Sequence, residues 1–141
     1  RDWSSDVCSS DLTLELLAAL RDRGATLILA TNKSQAVAEE IVVHHGLAPF
    51  LKAVQGVPPR APAMADKGDM IAAILRGHGL DPASTLMVGD RKFDALGAKA
   101  NAMACAGALY GYGGVEELRQ AGANWLIDAP LDVLDLPRDL D

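Results

Sequence analysis

The sequence predicts an α/β domain with a mainly parallel sheet, on three observations. Short apolar runs of strand length alternate with longer segments of helical periodicity. The connections between them are brief and rich in Gly, Pro, Asn and Asp. The chain has 141 residues, the size of one domain or part of one, and its composition (50 % hydrophobic, 23 % charged) suits a packed core and argues against disorder.

The elements follow in order. Residues 13–24 set Leu14, Leu17 and Leu20 on one helical face, with Gly24 as the stop. Residues 25–31 (ATLILAT) read as a strand buried on both faces. Residues 32–46 form a second helix, with Ala36, Ile41 and Val42 among its apolar positions and Gly46 at its end. A short strand follows at Ala53–Gln55, and Pro58, Pro59 and Pro62 make residues 56–65 a loop. Asp66 caps a third helix that ends at Gly77–Gly79. Residues 85–90 (TLMVGD) are a second buried strand, 91–102 a short helix, 103–110 a third strand and 111–114 (GYGG) a flexible loop. Residues 116–122 are helical, 125–129 a last strand, and 130–136 a weak tail. The echo between His45-Gly46-Leu47 and His78-Gly79-Leu80 marks two αβ units that end alike; with no third copy it is not a solenoid.

Charge and composition narrow the function. Thirteen Lys and Arg against nineteen Asp and Glu give −6, a surface that repels a phosphate backbone, so no nucleic-acid partner is expected. No run approaches eighteen apolar residues, so no membrane span is expected, and residues 1–12 (RDWSSDVCSSDL) have no apolar stretch of a secretory signal. Cys8 and Cys105 form no framework or C-x-x-C spacing. A cytoplasmic chain is expected. His44, His45 and His78 read as structural, and Cys105 as a core residue. Gly111, Gly113 and Gly114 do not make a dinucleotide fingerprint.

In an open parallel sheet, ligands bind at the carboxyl ends of the strands. That rule singles out Thr31, Asn32, Asp90 and Asp94, with Lys67 at a helix start. Asp90 and Asp94 are spaced i, i+4, which puts both carboxylates on one side if the turn is helical; a divalent cation such as Mg²⁺ would then relieve their repulsion. The alternative is that Asp90 caps the helix and Asp94 is solvated beside Arg91 and Lys92. Lys67 opposes the helix macrodipole by roughly 0.3–1 kcal/mol, so it is aimed at an anion or else is a surface cation neutralised by Asp66 and Asp69. Thr31 offers a hydroxyl, and Asn32 to Ser34 open a helix whose free N–H groups can cradle an oxyanion, or simply cap it.

Taken in order, Thr31-Asn32 after a strand, Lys67 at a helix start and the apolar-GDxxxD pattern of residues 85–94 resemble the haloacid dehalogenase (HAD) superfamily. Residues 85–114 look most like its phosphoglycolate-phosphatase-like branch, and the similarity spans roughly 13–135. The resemblance implies a three-layer Rossmann-like core and Mg²⁺-dependent hydrolysis of a small phosphorylated metabolite through an aspartyl-phosphate. By that resemblance Thr31 and Asn32 hydrogen-bond the phosphoryl oxygens, Lys67 neutralises charge, Asp90 is a metal ligand and Asp94 lies in or near the metal shell. All would converge on one pocket. A nucleotidase, a pyrophosphatase, a sugar-phosphate mutase and a non-catalytic anion- or partner-binding remnant are the alternatives. A receiver-type signalling domain needs an early acidic pair and phospho-acceptor.

One departure is prominent. The family's first motif, a strand ending in D-x-D-G-T/S that carries the nucleophile, is absent, as is the helical cap; Asp2, Asp6 and Asp11 supply no replacement. Residues 1–12 resemble translated adapter peptide, so family sequence is expected over 13–141 as a partial core lacking its nucleophile strand. In the family that strand lies between those ending at Thr31 and Asp90. Its absence leaves two sheet edges without their neighbour, and the chain alone is expected to be inactive.

Overall fold

The computed structural model describes residues 7–59, 66–111 and 113–136, with side chains from residue 13 onward. The chain divides into two units, one within residues 2–64 and the other within 65–141.

In the first unit, α1 (Val7–Asp22) leads to β1 (Ile28–Ser34), α2 (Gln35–His44) and β2 (Ala53–Val57). β1 and β2 pair in parallel, with a register shift between Ala30 and Ser34. α1 starts six residues before the predicted position 13, and Gly24 ends its turn with φ +86°, a conformation glycine adopts without strain. The strand at 25–31 is displaced to 28–34 and is not buried on both faces: Ile28 to Thr31 are half-buried and Asn32 to Ser34 exposed. The apolar run is right, but its cover is thinner because β1 has one strand neighbour among the described residues. The second helix opens at Gln35, three residues later than the sequence reading, because Ser34 turns the chain and its Oγ accepts from Val37 N at 3.3 Å. Leu16, Ala38, Val42 and Leu47 supply this unit's buried apolar groups.

The second unit runs α3 (Lys67–His78), β3 (Leu86–Gly89), α4 (Lys92–Ala100), β4 (Ala104–Ala108), α5 (Val115–Gln120) and β5 (Trp125–Ile127). Its three strands form one parallel sheet in the order β3-β4-β5. Each parallel step needs a crossover, which α4 and α5 provide. α3 is bounded as predicted: Asp66 Oδ1 accepts from Asp69 N at 3.1 Å, and Gly79 closes the helix with φ +61°. Ile71 and Leu75 of α3, Ala95 and Ala98 of α4, and Met103, Cys105 and Ala121 make a continuous core. Cys105 is the predicted core cysteine, and burial, then the charge of Asp94, push its thiol up to about 12.

β3 is again less covered than its apolar run suggests, with Val88 exposed at a sheet edge. The predicted tail at 130–136 is instead a 3-10 turn, Pro130–Asp135, that buries Pro130 and Val133; Asp132 Oδ2 accepts from both Asp128 N and Ala129 N at 3.1 Å. The α/β class and its parallel pairing agree with the sequence reading. Among the described residues the strands form two sheets, not one. Residues 60–65, part of the predicted proline loop, lie outside the described residues. So do residues 1–6 of the expected non-native segment.

Candidate active site

β3 delivers Asp90 at its carboxyl end, and the chain turns there into α4. α4 starts at Lys92, so Asp90 stands before the helix and the condition of the i, i+4 reading, a helical turn from Asp90 to Asp94, is not met. Asp94, in the first turn, folds back instead: its Oδ2 accepts from Arg91 N at 3.4 Å. Its other oxygen lies 3.2 Å from Lys67 Nζ, in an ion pair whose side chains are only 7 % and 12 % exposed. Neither alternative for Lys67 as a surface cation, nor for Asp94 as a solvated acid, survives this contact. Because both groups are withdrawn from water, the buried Asp94 carboxylate is compensated by the Lys67 ammonium.

Two glycines let the pair form. At Gly89 a Cβ would overlap the Asp94 carboxylate, so the glycine of the GDxxxD pattern makes room for the second aspartate over the strand end. At Gly97 a Cβ would sit 3.0 Å from Gly68 N and 3.1 Å from Ile71 Cδ1, so α3 and α4 cross closely next to Lys67. Asn101 locks the crossing by donating from Nδ2 to Gly68 O at 2.9 Å and to Gly97 O at 2.8 Å. The bond costs nothing in helix geometry, since Gly97 O belongs to the last turn.

Within the GYGG segment, predicted as a flexible loop, Gly111 and Gly113 pack closely on Asp90. Gly113 is buried and donates its N–H to Asp90 O at 2.8 Å; a Cβ there would overlap that carbonyl, and one on Gly111 would overlap the Asp90 carboxylate. Tyr112 lies outside the described residues. Tyr110, just upstream, has its hydroxyl pushed up to about 12 by burial and then by the charges of Asp90 and Asp132, so it stays protonated at neutral pH.

Sequence reasoning missed Glu117. Its Oε2 accepts from Lys92 N at 2.9 Å and from Arg91 Nε at 3.0 Å, which lowers its pKa below the ordinary glutamate range; the backbone bond from Lys92 is the largest cause. Only its place two residues into α5, three after the glycine loop, could have hinted at this role.

Thr31 and Asn32 belong to the first unit and are placed within it alone. Thr31 is half-buried in β1, and its Oγ1 accepts from Lys33 N at 3.2 Å. Asn32 is exposed and extended, so it neither caps nor opens α2; Ser34 does. The residue that fixes this junction is Gln35, which sequence reading passed over. Its Nε2 donates to Val54 O at 2.9 Å and to Glu39 Oε1 at 3.0 Å, while its Oε1 accepts from Gly56 N at 2.7 Å. Gly56 is required: a Cβ would approach Lys33 O and Gln35 Cα to 2.8 Å.

For a metal, the donors at this strand end are carboxylate oxygens. Both Asp94 oxygens are engaged by protein donors, and the Asp90 carboxylate stands at the strand end packed on Gly111. Among the described residues no three His, Cys, Asp or Glu side chains cluster into a ready-made cage. A single aspartate nevertheless suits Mg²⁺, which keeps several waters and takes one or two carboxylates with substrate oxygens.

Comparison with known proteins agrees with the sequence pattern. The family model described as haloacid dehalogenase-like hydrolase matches residues 5–101. A 5'-nucleotidase of Pseudomonas aeruginosa is 41 % identical over 105 residues, covering 74 % of this chain and 47 % of its own length. A phosphoglycolate phosphatase of Caulobacter vibrioides is 36 % identical over 121 residues, covering 85 % of this chain and 50 % of its own. The chain thus spans about half the length of these curated relatives. Among solved structures, a predicted phosphatase from Clostridium acetobutylicum superposes with a TM-score of 0.81 at 31 % identity, over 87 % of this chain and 58 % of that one. The strand-end aspartate, the lysine that reaches its partner aspartate and the glycines between them therefore have an ancestry as well as a geometry: the chain belongs to the haloacid dehalogenase-like hydrolase family.

Proposed function

We propose that the whole protein is a phosphomonoester hydrolase of phosphoglycolate-phosphatase type, acting on a small phosphorylated metabolite in the cytoplasm with Mg²⁺. The observation that carries this reading is the buried Lys67–Asp94 pair at 3.2 Å, at the end of the strand that presents Asp90. Phosphoryl transfer needs little covalent chemistry from the protein beyond a nucleophile; it needs charges held in place. Lys67 is such a charge: packing at the Gly68–Gly97 crossing and pairing with Asp94 fix its ammonium before any ligand arrives. In this reading Asp90 is the metal ligand, and Asp94, engaged on both oxygens, stays just outside the metal and holds Lys67. Mg²⁺, when bound, would neutralise charge on the phosphate and on the nucleophile. Thr31 and Asn32 take the phosphoryl hydrogen bonds by family correspondence: Thr31 through its hydroxyl, Asn32 through its exposed amide.

The 141-residue sequence has no D-x-D-G-T/S strand, so we infer that it forms no aspartyl-phosphate by itself, in keeping with residues 13–141 being a partial core and 1–12 non-native. The test is to fuse residues 13–141 behind a family segment that supplies that strand and to assay a generic phosphate ester with Mg²⁺. Turnover abolished by Asp90→Asn or Lys67→Met is expected from the fusion and none from the 141-residue chain. A folded fusion without turnover, or Asp90-dependent turnover by the chain itself, would contradict the reading. The 41 % identity to a 5'-nucleotidase favours a nucleoside monophosphate as the second reading, and the same fusion assayed against both ester classes decides between them.

A further inference from the structure

We propose that Glu117 is a positioning residue, which sets the turn after β3 so that Asp94 can engage Lys67 and Asp90 can serve the site; the inference rests on the phosphatase reading. Three consecutive backbone groups in that turn are each tied by a different partner. Asp90 O accepts from Gly113 N at 2.8 Å, Arg91 N donates to Asp94 Oδ2 at 3.4 Å, and Lys92 N donates to Glu117 Oε2 at 2.9 Å. The Lys92 N–H is among the first donors of α4, which the helix itself leaves without a partner. The side chain of the residue just before a helix ordinarily serves its second or third amide and not its first, and Arg91 carries no acceptor in any case. Glu117 supplies one from another helix, and the same oxygen holds Arg91 Nε at 3.0 Å.

The glycine loop and Glu117 act at one place. A Cβ on Gly113 would overlap Asp90 O and come within 2.9 Å of Glu117 Oε2, so a side chain there would crowd both the turn's carbonyl and the carboxylate. Leu118, fully buried beside Gly107, anchors α5 on the sheet and delivers Glu117 to this position. The bond from Lys92 is also the main reason the Glu117 carboxyl is held low, so the carboxylate is charged at neutral pH. A charged acceptor at a helix N-terminus is favoured by the helix dipole as well.

The test uses the 141-residue chain, labelled with ¹⁵N, and compares Glu117→Ala, Glu117→Gln and Glu116→Ala. Glu116 forms only an exposed pair with Arg119 at 3.7 Å, so its variant controls for charge removal on α5. In Glu117→Ala the Lys92 amide should exchange about tenfold faster or more, as expected for loss of a charge-assisted hydrogen bond. The Lys67 Nζ signal should move as the Asp94 pair loosens, while the Leu118 and Cys105 amides keep their protection. Glu117→Gln keeps an acceptor oxygen and should restore most of the Lys92 protection; Glu116→Ala should change neither signal. Unchanged Lys92 exchange and an unmoved Lys67 signal in Glu117→Ala would overturn the proposal. So would failure of Glu117→Gln to recover them. Should Glu117→Ala not fold, Glu117→Gln against the unmodified chain carries the test, with retained Lys92 protection expected and its loss overturning the idea. Titration with Mg²⁺ alone separates the two claims: if the fusion that supplies the nucleophile strand does not respond, the metal reading fails, and Glu117 is still judged by Lys92 and Lys67 in the chain itself.

Discussion

At the end of β1 the chain turns into α2 through Thr31 to Ser34; at the end of β3 it turns into α4 through Asp90 and Arg91. Each junction is a parallel strand passing into a helix, and in each a side chain from the first turn of the helix reaches out to fix the crossing. At the first junction the side chain is Gln35, a neutral amide that bonds the backbone of β2 on both sides of Gln55. At the second it is Asp94, a buried carboxylate shared between Arg91 N and the ammonium of Lys67. A neutral amide gives a junction that tolerates change better, because its loss leaves two neutral backbone groups and no buried charge. A buried ion pair gives one in which Asp94, withdrawn from water, does not tolerate loss of its cation. That rigidity is what a phosphate site requires of its charges, and it accounts for the three glycines gathered around the second junction, Gly89, Gly111 and Gly113.

The contrast can be broken at several points. Lys67→Met should cost the most, about 3–5 kcal/mol, because Asp94 is left buried without its cation. Chemical denaturation should show it, and Lys67→Met with Asp94→Leu should recover a large part. Equal and additive losses would mean that the pair is not coupled. Gly89→Ala comes next, at about 1–3 kcal/mol, since its Cβ must displace the Asp94 carboxylate. Gln35→Ala should cost less, about 1–2 kcal/mol for two backbone bonds at a half-buried site. A loss there as large as that at Lys67 would erase the distinction between the junctions.

The smallest effect is one of pH. The Glu117 carboxyl is depressed in the folded chain, so its contribution is present above the ordinary glutamate range and is lost as pH falls through its lowered value. The Lys92 protection factor, the exchange rate relative to the intrinsic rate at the same pH, should therefore fall on acidification below that range and stay constant between pH 6 and 8; a fall within the neutral window would contradict the assignment. Cys105 sharpens the same region. With its thiol pushed up to about 12, it should resist alkylation at pH 8 in a Cys8→Ser background until the chain is unfolded, as peptide mass spectrometry would show.

Much of this was legible before any coordinates. Apolar runs at 25–31, 85–90 and 103–110 announced three strands, Asp66 announced the start of α3, and Lys67 betrayed itself by opposing the dipole of its own helix. What could not be read was partnership. Nothing in the spacing of Asp90 and Asp94 says that the second turns back to a lysine 27 positions earlier, because that depends on the Gly68–Gly97 crossing of two helices. Glu117 was invisible for the same reason: a glutamate in the first turn of a helix reads as an ordinary response to the dipole until the neighbouring turn is seen beneath it. The strand limits at β1 shifted because the apolar run records burial, whereas the junction at Ser34 is set by a hydroxyl cap.

The most direct measurement is a titration of the ¹⁵N-labelled fusion, in which residues 13–141 follow a segment that supplies the nucleophile strand, with inorganic phosphate in the presence of Mg²⁺, followed residue by residue. The phosphatase reading predicts saturable shifts at Thr31 and Asn32, at Lys67 and at Asp90, all lost together in Asp90→Asn. Shifts confined to one of these segments, or an unchanged response in Asp90→Asn, would contradict it.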